Sequence, residues 1–258
     1  MTWKGILFII SIFVLSCSNV LKLGRSNKRY SEQKFSFTDK SGQFSMIRTS
    51  GLTKSNEFVT KEKILPHKGW DGLPLEKAVL ISSFGKWSNN ISIIRPKISQ
   101  RTYWFNKKKY FSEVKLTEKK NGLRLKWKGP GDLEFKTKNH DLPKMKRLYC
   151  FIGQLIECIN ETGFFYKSMK EKVGSVFLTI IFDGYPYFNK QYQGLGEEVF
   201  AQGEFVFDDK IGGNLFRYAL NFKDHSITYF VDKNGNFVDK FWISQGLSVR
   251  NLSLERSI

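Results

Sequence analysis

Between residues 101 and 138 the chain reads RTYWFNKKKYFSEVKLTEKKNGLRLKWKGPGDLEFKTK, and apolar and polar positions alternate through it. Val114 and Leu116 alternate with polar residues before a KKNG turn. Leu123, Leu125 and Trp127 then alternate with Arg124, Lys126 and Lys128, and after GPG, Leu133 and Phe135 alternate with Glu134 and Lys136. A period of two puts successive side chains on opposite faces of a strand. The pattern predicts an antiparallel meander with one apolar and one wet face. Leu125, Trp127 and Phe135 are expected in the core. Arg124, Lys126, Lys128, Lys136 and Lys138 are expected together on the wet side.

The same period recurs along the chain. KAVLISSFG (77–85) and NISIIRPKI (90–98) read as strands around a WSNN turn. SVFLTIIFDG, EVFAQGEFVFDD, NLFRYALNFKD, HSITYFVD and NFVDKFWIS follow later. Phe216, Tyr218, Leu220 and Phe222 alternate, as do Ile227, Tyr229 and Val231, with KIGGN (210–214) and DKNGN (232–236) placed as hairpin turns. From Phe35 to about Pro74, scattered apolar residues and turn formers predict extension and loop. One stretch breaks the period. In DLPKMKRLYCFIGQLIECINETG the apolar positions Met145, Leu148, Ile152, Leu155, Ile156 and Ile159 have helical spacing. Asp141 suits a cap, Pro143 a first turn and Gly163 a stop. Lys144, Lys146 and Arg147 oppose the positive end of the helix dipole. A later start would leave Leu148 to Gly153 free to form a strand. The expectation is a mainly β (α+β) fold of roughly ten strands. Its antiparallel sheet is either a half-barrel whose one amphipathic helix fills the concavity or a two-layer sandwich. In element order this looks like the envelope lipid-handling half-barrels, with no residue motif of that family matched.

The first residues carry a different signal. The apolar run from Gly5 to Ser16 follows Lys4 and ends at a cysteine. A bilayer crossing needs roughly 20 apolar residues, whereas a signal-peptide core needs about 7–15. Val14-Leu15-Ser16-Cys17 resembles the lipobox of bacterial lipoproteins. The resemblance implies cleavage after Ser16, acylation of Cys17 and a place in the bacterial cell envelope. Ser18, where Asp would favour retention in the inner membrane, points to the outer membrane. The expected organisation is a signal peptide over 1–16, an anchor and flexible tether over 17–45, and a single β-rich domain over 46–258.

Charge sharpens the picture. Residues 1–150 hold 31 Lys and Arg against 11 Asp and Glu, and residues 151–258 hold 11 against 13. The whole excess of +18 therefore belongs to the first part of the chain. A concentrated positive field calls for an anionic neighbour. Outside the cytoplasm this means anionic lipid, lipopolysaccharide or acidic glycan, with nucleic acid disfavoured.

Candidate chemistry is sparse. His67, His140 and His225 stand in no paired spacing, and the chain has no HExxH, GxSxG or Walker motif. Asp232, Asn234 and Asn236 have the spacing of a calcium loop. Phe237 and Ile243 stand where Gly and Glu are needed, so a turn is the expectation. No metal or cofactor is expected. Cys150 and Cys158 form an even pair once Cys17 is lipidated. Eight helical residues would hold them about 12 Å apart, so either the helix starts late and they bridge, or both stay reduced and buried. In DGYPYFNKQYQGLGEE (183–198), Tyr185, Tyr187, Phe188 and Tyr192 either form an aromatic binding loop or plug an open end of the sheet. No motif names a reaction. The expected function is a lipid-anchored, non-enzymatic envelope protein that binds an anionic component or a partner protein. An acyl-chain carrier is the alternative.

Overall fold

The computed structural model describes residues 31–39, 42–66, 75–88, 91–105, 108–120, 122–141 and 148–254. Ser16, Cys17, His67, Pro143 and Met145 lie outside the described residues.

The strands of the described residues form one fifteen-stranded sheet made of two wings. The first wing is a meander of β1 (Ser31–Asp39), β2 (Gly42–Leu52), β3 (Glu57–Leu65), β4 (Glu76–Ser88), β5 (Ile91–Phe105), β6 (Lys108–Lys119), β7 (Gly122–Lys128) and β8 (Lys136–Asp141). The second comprises β9 (Tyr149–Phe151), β10 (Ser175–Ile181), β11 (Phe200–Lys210), β12 (Leu215–Phe222), β13 (His225–Asp232), β14 (Phe237–Trp242) and β15 (Leu247–Asn251). The wings join where β1 pairs with β15, so the first and last strands meet in the middle and β8 and β9 are the two edges. Neighbours are antiparallel except β9 and β10, which are parallel. The expectation of a mainly antiparallel sheet holds, with fifteen strands rather than ten. The continuous sheet matches the half-barrel and not the sandwich.

Two expectations need correction. The tether does not extend to residue 45: β1 and the start of β2 lie at the centre of the sheet, with Phe35 and Phe37 buried. Three strands occupy the stretch from 31 to 65 that reads as extension and loop. Their apolar residues are too widely spaced by Ser, Thr and Lys to show the period. The single helix is also replaced. β9 comes first, a 3₁₀ turn covers Ile152–Gln154, and two short helices follow, α1 (Leu155–Glu161) and α2 (Phe164–Glu171). Gly163, at φ 75°, separates them. The break admits a left-handed residue that glycine adopts without cost.

Because the helix starts late, Cys150 sits in β9 and Cys158 in α1. They are joined by a disulfide with Cα atoms 6.1 Å apart.

The sheet rolls until its edges overlap. The inner face of β5–β8 lies over the outer face of β9–β11. Lys138 pairs with Glu198 at 2.6 Å, the His140 ring lies 3.8 Å from that of Phe200, and His140 Nε2 is 3.1 Å from Gln202 Nε2. The Tyr149 hydroxyl donates to Glu118, and Arg95 stands 5.0 Å over the Tyr149 ring. Tyr149 and Thr179 are therefore buried, although they face away from the concavity.

Candidate functional site

The outer face of the first wing gathers the lysines. Residues directly opposite on neighbouring strands share a face, and one row runs Ile47, Lys63, Lys77, Thr102, Phe111 from β2 to β6. A second runs Thr49, Lys61, Val79, Gln100, Glu113, Lys128 from β2 to β7. A third pairs Lys115 with Lys126. Lys61, Lys63, Lys77, Lys109 and Lys126 are exposed. Among the described residues Lys61, Lys63, Lys109 and Lys126 make no ion pair. Apolar groups are interleaved: Phe111 is 40% exposed, Lys77 lies over Trp104, and Lys115 lies over Phe135.

The five residues expected on this face divide. Arg124, Lys126 and Lys128 belong to it. Arg124 Nε donates to Asn139 and Lys128 Nζ to the Leu133 carbonyl. Lys136 and Lys138 do not belong to it: they stand opposite Trp127 and Leu125, on the other face. Phe135 is exposed instead of buried, and Trp127 is half-buried. The cause is the turn. Asp132 accepts from Gly129 N at 2.9 Å and pairs with Lys136 at 3.2 Å, which ends the β7–β8 turn one residue later than the alternation implies. A slip of one residue inverts every side chain. The Gly129 hydrogen bond, then Lys136, holds the Asp132 carboxyl below its usual range.

The aromatic loop is packed inward, so it is a plug rather than an exposed binding surface. Its helix, α3, covers Tyr187–Gln191. Tyr185 packs edge-on against Trp127 and donates to the Glu197 carbonyl at 2.6 Å. Tyr187 stacks on Tyr103 at 3.7 Å, Phe188 on Phe182 at 5.5 Å, and Tyr192 lies 5.0 Å from Trp242. Burial, then the neighbouring Tyr187 and Tyr110, pushes the Tyr103 hydroxyl up to about 12. Asp232 likewise serves its own turn, accepting from the backbone N–H groups of Asn234 and Asn236 at 2.8 Å each. His225 is buried beside Trp242, and His140 serves the overlap.

Beneath the plug lies a charge network that motif reasoning misses. Arg48 of β2 holds Glu62 of β3 at 3.3 Å, Glu157 of α1 at 2.6 Å and the Gly153 carbonyl at 2.7 Å. Arg101 of β5 pairs with Glu76 of β4, and with Asp183 at 2.6 Å. Asp183 also accepts from Gly153 N at 3.1 Å, and Ser99 donates to its carbonyl. Burial opposes the charge on Arg101, but Asp183 and Glu62 outweigh it and hold the guanidinium above its ordinary value. Glu157 and Glu62 do the same for Arg48. Gln154 completes the pin, accepting from Ser82 at 2.6 Å and donating to Thr60 at 3.0 Å. A Cβ at Gly153 would stand 2.8 Å from Leu80 Cδ1 and 3.0 Å from Asp183 Oδ2, so a larger residue would have to displace one of these side chains. A signal for these residues exists in the sequence. Arg48 shares the parity of Phe44 and Met46, Arg101 that of Tyr103, and Lys240 that of Trp242: charges at core positions of their strands.

Two hollows adjoin these features. One, of about 110 Å³, lies inside the sheet, between the ion network and the aromatic side chains of the second wing. The other, of about 360 Å³, lies over β1–β3 and is mainly apolar, with Phe44, Met46, Ile47, Leu65 and Leu252 among its walls beside Lys34, Ser36, Gln43 and Ser45.

No protein-family model matches the chain, and no curated protein matches it. A beta-barrel-like protein of a domain of unknown function, DUF1849, from Brucella abortus is similar in structure, with a TM-score of 0.45 and 10% sequence identity over 86% of this chain and 93% of that one.

Proposed function

We propose that this is a non-enzymatic, lipid-anchored protein of the bacterial cell envelope whose basic outer face binds an anionic component. The observation that carries the reading is the cross-strand register of Lys61, Lys63, Lys77, Lys115 and Lys126 on one face of the first wing. Lysines are flexible point charges and suit diffuse phosphates better than one shaped ligand. The interleaved Trp104, Phe111 and Phe135 add apolar contact of the kind that a lipid headgroup region accepts. The lipobox-like Val14-Leu15-Ser16-Cys17 supports an anchor at Cys17 and an outer-membrane address. An acyl-chain carrier is supported less well. The interior hollow is well below the roughly 300–1,000 Å³ typical of ligand pockets, because aromatic side chains fill the concavity. The outer hollow lies at the lower end of that range, is lined by Phe44, Met46, Ile47, Leu65 and Leu252 beside polar residues, and is the feature that supports a carrier.

The test uses the full chain carrying Cys17→Ser, which cannot be acylated, sedimented with anionic or neutral vesicles. Binding to anionic vesicles at low salt is expected to vanish near 1 M salt, where screening falls to about 3 Å. Lys115→Glu with Lys126→Glu should remove the preference while leaving the fold intact. Equal binding to both vesicle types, or to neither, rejects the anionic-surface reading. The anchor has its own test: a labelled fatty acid should mark the parent and not Cys17→Ser.

A further inference from the structure

Inside the rolled sheet, the hollow of about 110 Å³ has two chemically different walls. On one side stand Arg48, Arg101 and their four carboxylates, every one engaged in the ion pairs described above. On the other stand Tyr229, Lys240 and Trp242 of β13 and β14. Tyr229 and Lys240 are directly opposite one another, and Trp242 lies two residues further along the same face. The Tyr229 hydroxyl and Trp242 Nε1 are buried, with 3% and 1% of their residues exposed, and neither has a hydrogen-bond partner among the described residues. Lys240 makes no ion pair or hydrogen bond there. Two buried hydrogen-bond donors without acceptors thus line one wall of one cavity, beside the half-buried cation of Lys240. Phe35, Phe37, Phe188, Ile227 and Val249 supply the apolar remainder. Gln191 lines the cavity and is solvent-exposed, marking where it reaches the surface.

Buried donors are costly unless paired. A ligand that satisfies these donors needs acceptor oxygens, a single negative charge to match Lys240, and a short apolar body. We propose that this cavity is a binding site for a small monocarboxylate, with the carboxylate on Lys240 and Tyr229 and the hydrocarbon against the phenylalanines. The volume limits the ligand to a body smaller than benzene, which an apolar cavity of about 150 Å³ accommodates. The electrostatics support the charge. Desolvation lowers the Lys240 ammonium to about 8; Glu62 and Asp183 act against this, and Arg48 and Arg101 act with it, so the ammonium lacks a dedicated counter-ion. A bound carboxylate supplies one. The site is interior and does not depend on the basic outer face.

The experiment is calorimetric titration of the full chain carrying Cys17→Ser with acetate, butyrate and n-butylamine. The acids should bind and the amine should not. Affinity should be flat below pH 8 and then fall by up to about tenfold per pH unit, because the folded protein loses the Lys240 proton there. Lys240→Met should cost roughly 10- to 100-fold, the worth of a charge-assisted hydrogen bond. Tyr229→Phe, a smaller change, should cost a few-fold and guards against misfolding of the first variant. Lys115→Glu with Lys126→Glu should leave butyrate affinity unchanged, which separates this site from vesicle binding. Absence of acid binding at pH 7, equal binding of butylamine, or full affinity in both Lys240→Met and Tyr229→Phe overturns the proposal.

Discussion

The two wings of the sheet hold the crossover between β9 and β10 (152–174), with Asp183 of the plug beside it, by opposite means. On the inner face of the first wing, Arg48 and Arg101 grip Glu157, Gly153 and Asp183 through ion pairs and hydrogen bonds. On the inner face of the second, rings do the holding. Phe164 and Phe165 of α2 meet Phe205 and Tyr218 edge-on at 5.0–6.1 Å, and Tyr218 shares a hydrogen bond of 3.0 Å with Ser168. The outer faces differ as well. Among the described residues the first wing carries Lys61, Lys63, Lys109 and Lys126 without ion pairs beside the Lys115–Glu113 pair at 2.7 Å, whereas on the second Arg217 pairs with Asp208 and Arg250 with Asp239. Buried ion pairs contribute little net stability but penalise wrong arrangements heavily, because a stripped partner is left charged and dry. Ring packing stabilises more and is less particular about register. One wing therefore specifies where the crossover docks and the other supplies the adhesion.

Substitutions in the two wings should separate these roles. Phe205→Ala empties a fully buried aromatic site and should cost roughly 3–5 kcal/mol, by an amount that urea titrations find similar at pH 5 and pH 7. Arg101→Met should cost about 3–5 kcal/mol at pH 7. That loss should shrink in acid, where the stripped carboxylates can take protons. Equal pH dependence of the two variants would erase the distinction between the wings. Cys150→Ser with Cys158→Ser opens a short loop at the start of the crossover and should cost roughly 2–3 kcal/mol. Its crossover docking should survive, as read by amide exchange at Gly153 and Gln154.

The second wing also carries a pH effect. The folded Lys240 sits near 8 and the unfolded one near its ordinary value of 10.5. Between those values the unfolded chain binds more protons, so the parent should gain stability as pH rises through that window. Lys240→Met should show no such gain. The smallest effect belongs to the outer face: Lys115→Glu with Lys126→Glu should shift stability by no more than about 0.5 kcal/mol, while removing the preference for anionic vesicles.

Much of the second wing was legible in advance. Phe216 to Phe222 and Ile227 to Val231 alternate cleanly, and the observed burial follows that alternation. The first wing was legible only in part. Its central strands carry Arg48, Glu62, Glu76 and Arg101 at core parity, which dilutes the apolar period in β2 and β3 and makes them read as loop. The ion network was illegible for the same reason that it is informative. Its members are drawn from β2, β3, β4, β5, α1 and the plug, and nothing local ties Arg48 to Glu157 or Arg101 to Asp183.

Alternation, turn residues and charge partition are properties of neighbouring residues. From them the chain by itself determined a mainly β protein, hairpins at KKNG and DKNGN, and a basic first part. The tertiary structure decided the rest: the one-residue register of β8 that parts Lys136 and Lys138 from Lys126, the late helix that brings Cys150 to Cys158, the pairing of the first strand with the last, and the overlap that buries Tyr149 and Thr179. Each of these depends on contacts distant in sequence, or on the exact end of a turn. A pattern with period two says which side chains share a face; it does not say which strand lies opposite, nor where the sheet will meet itself.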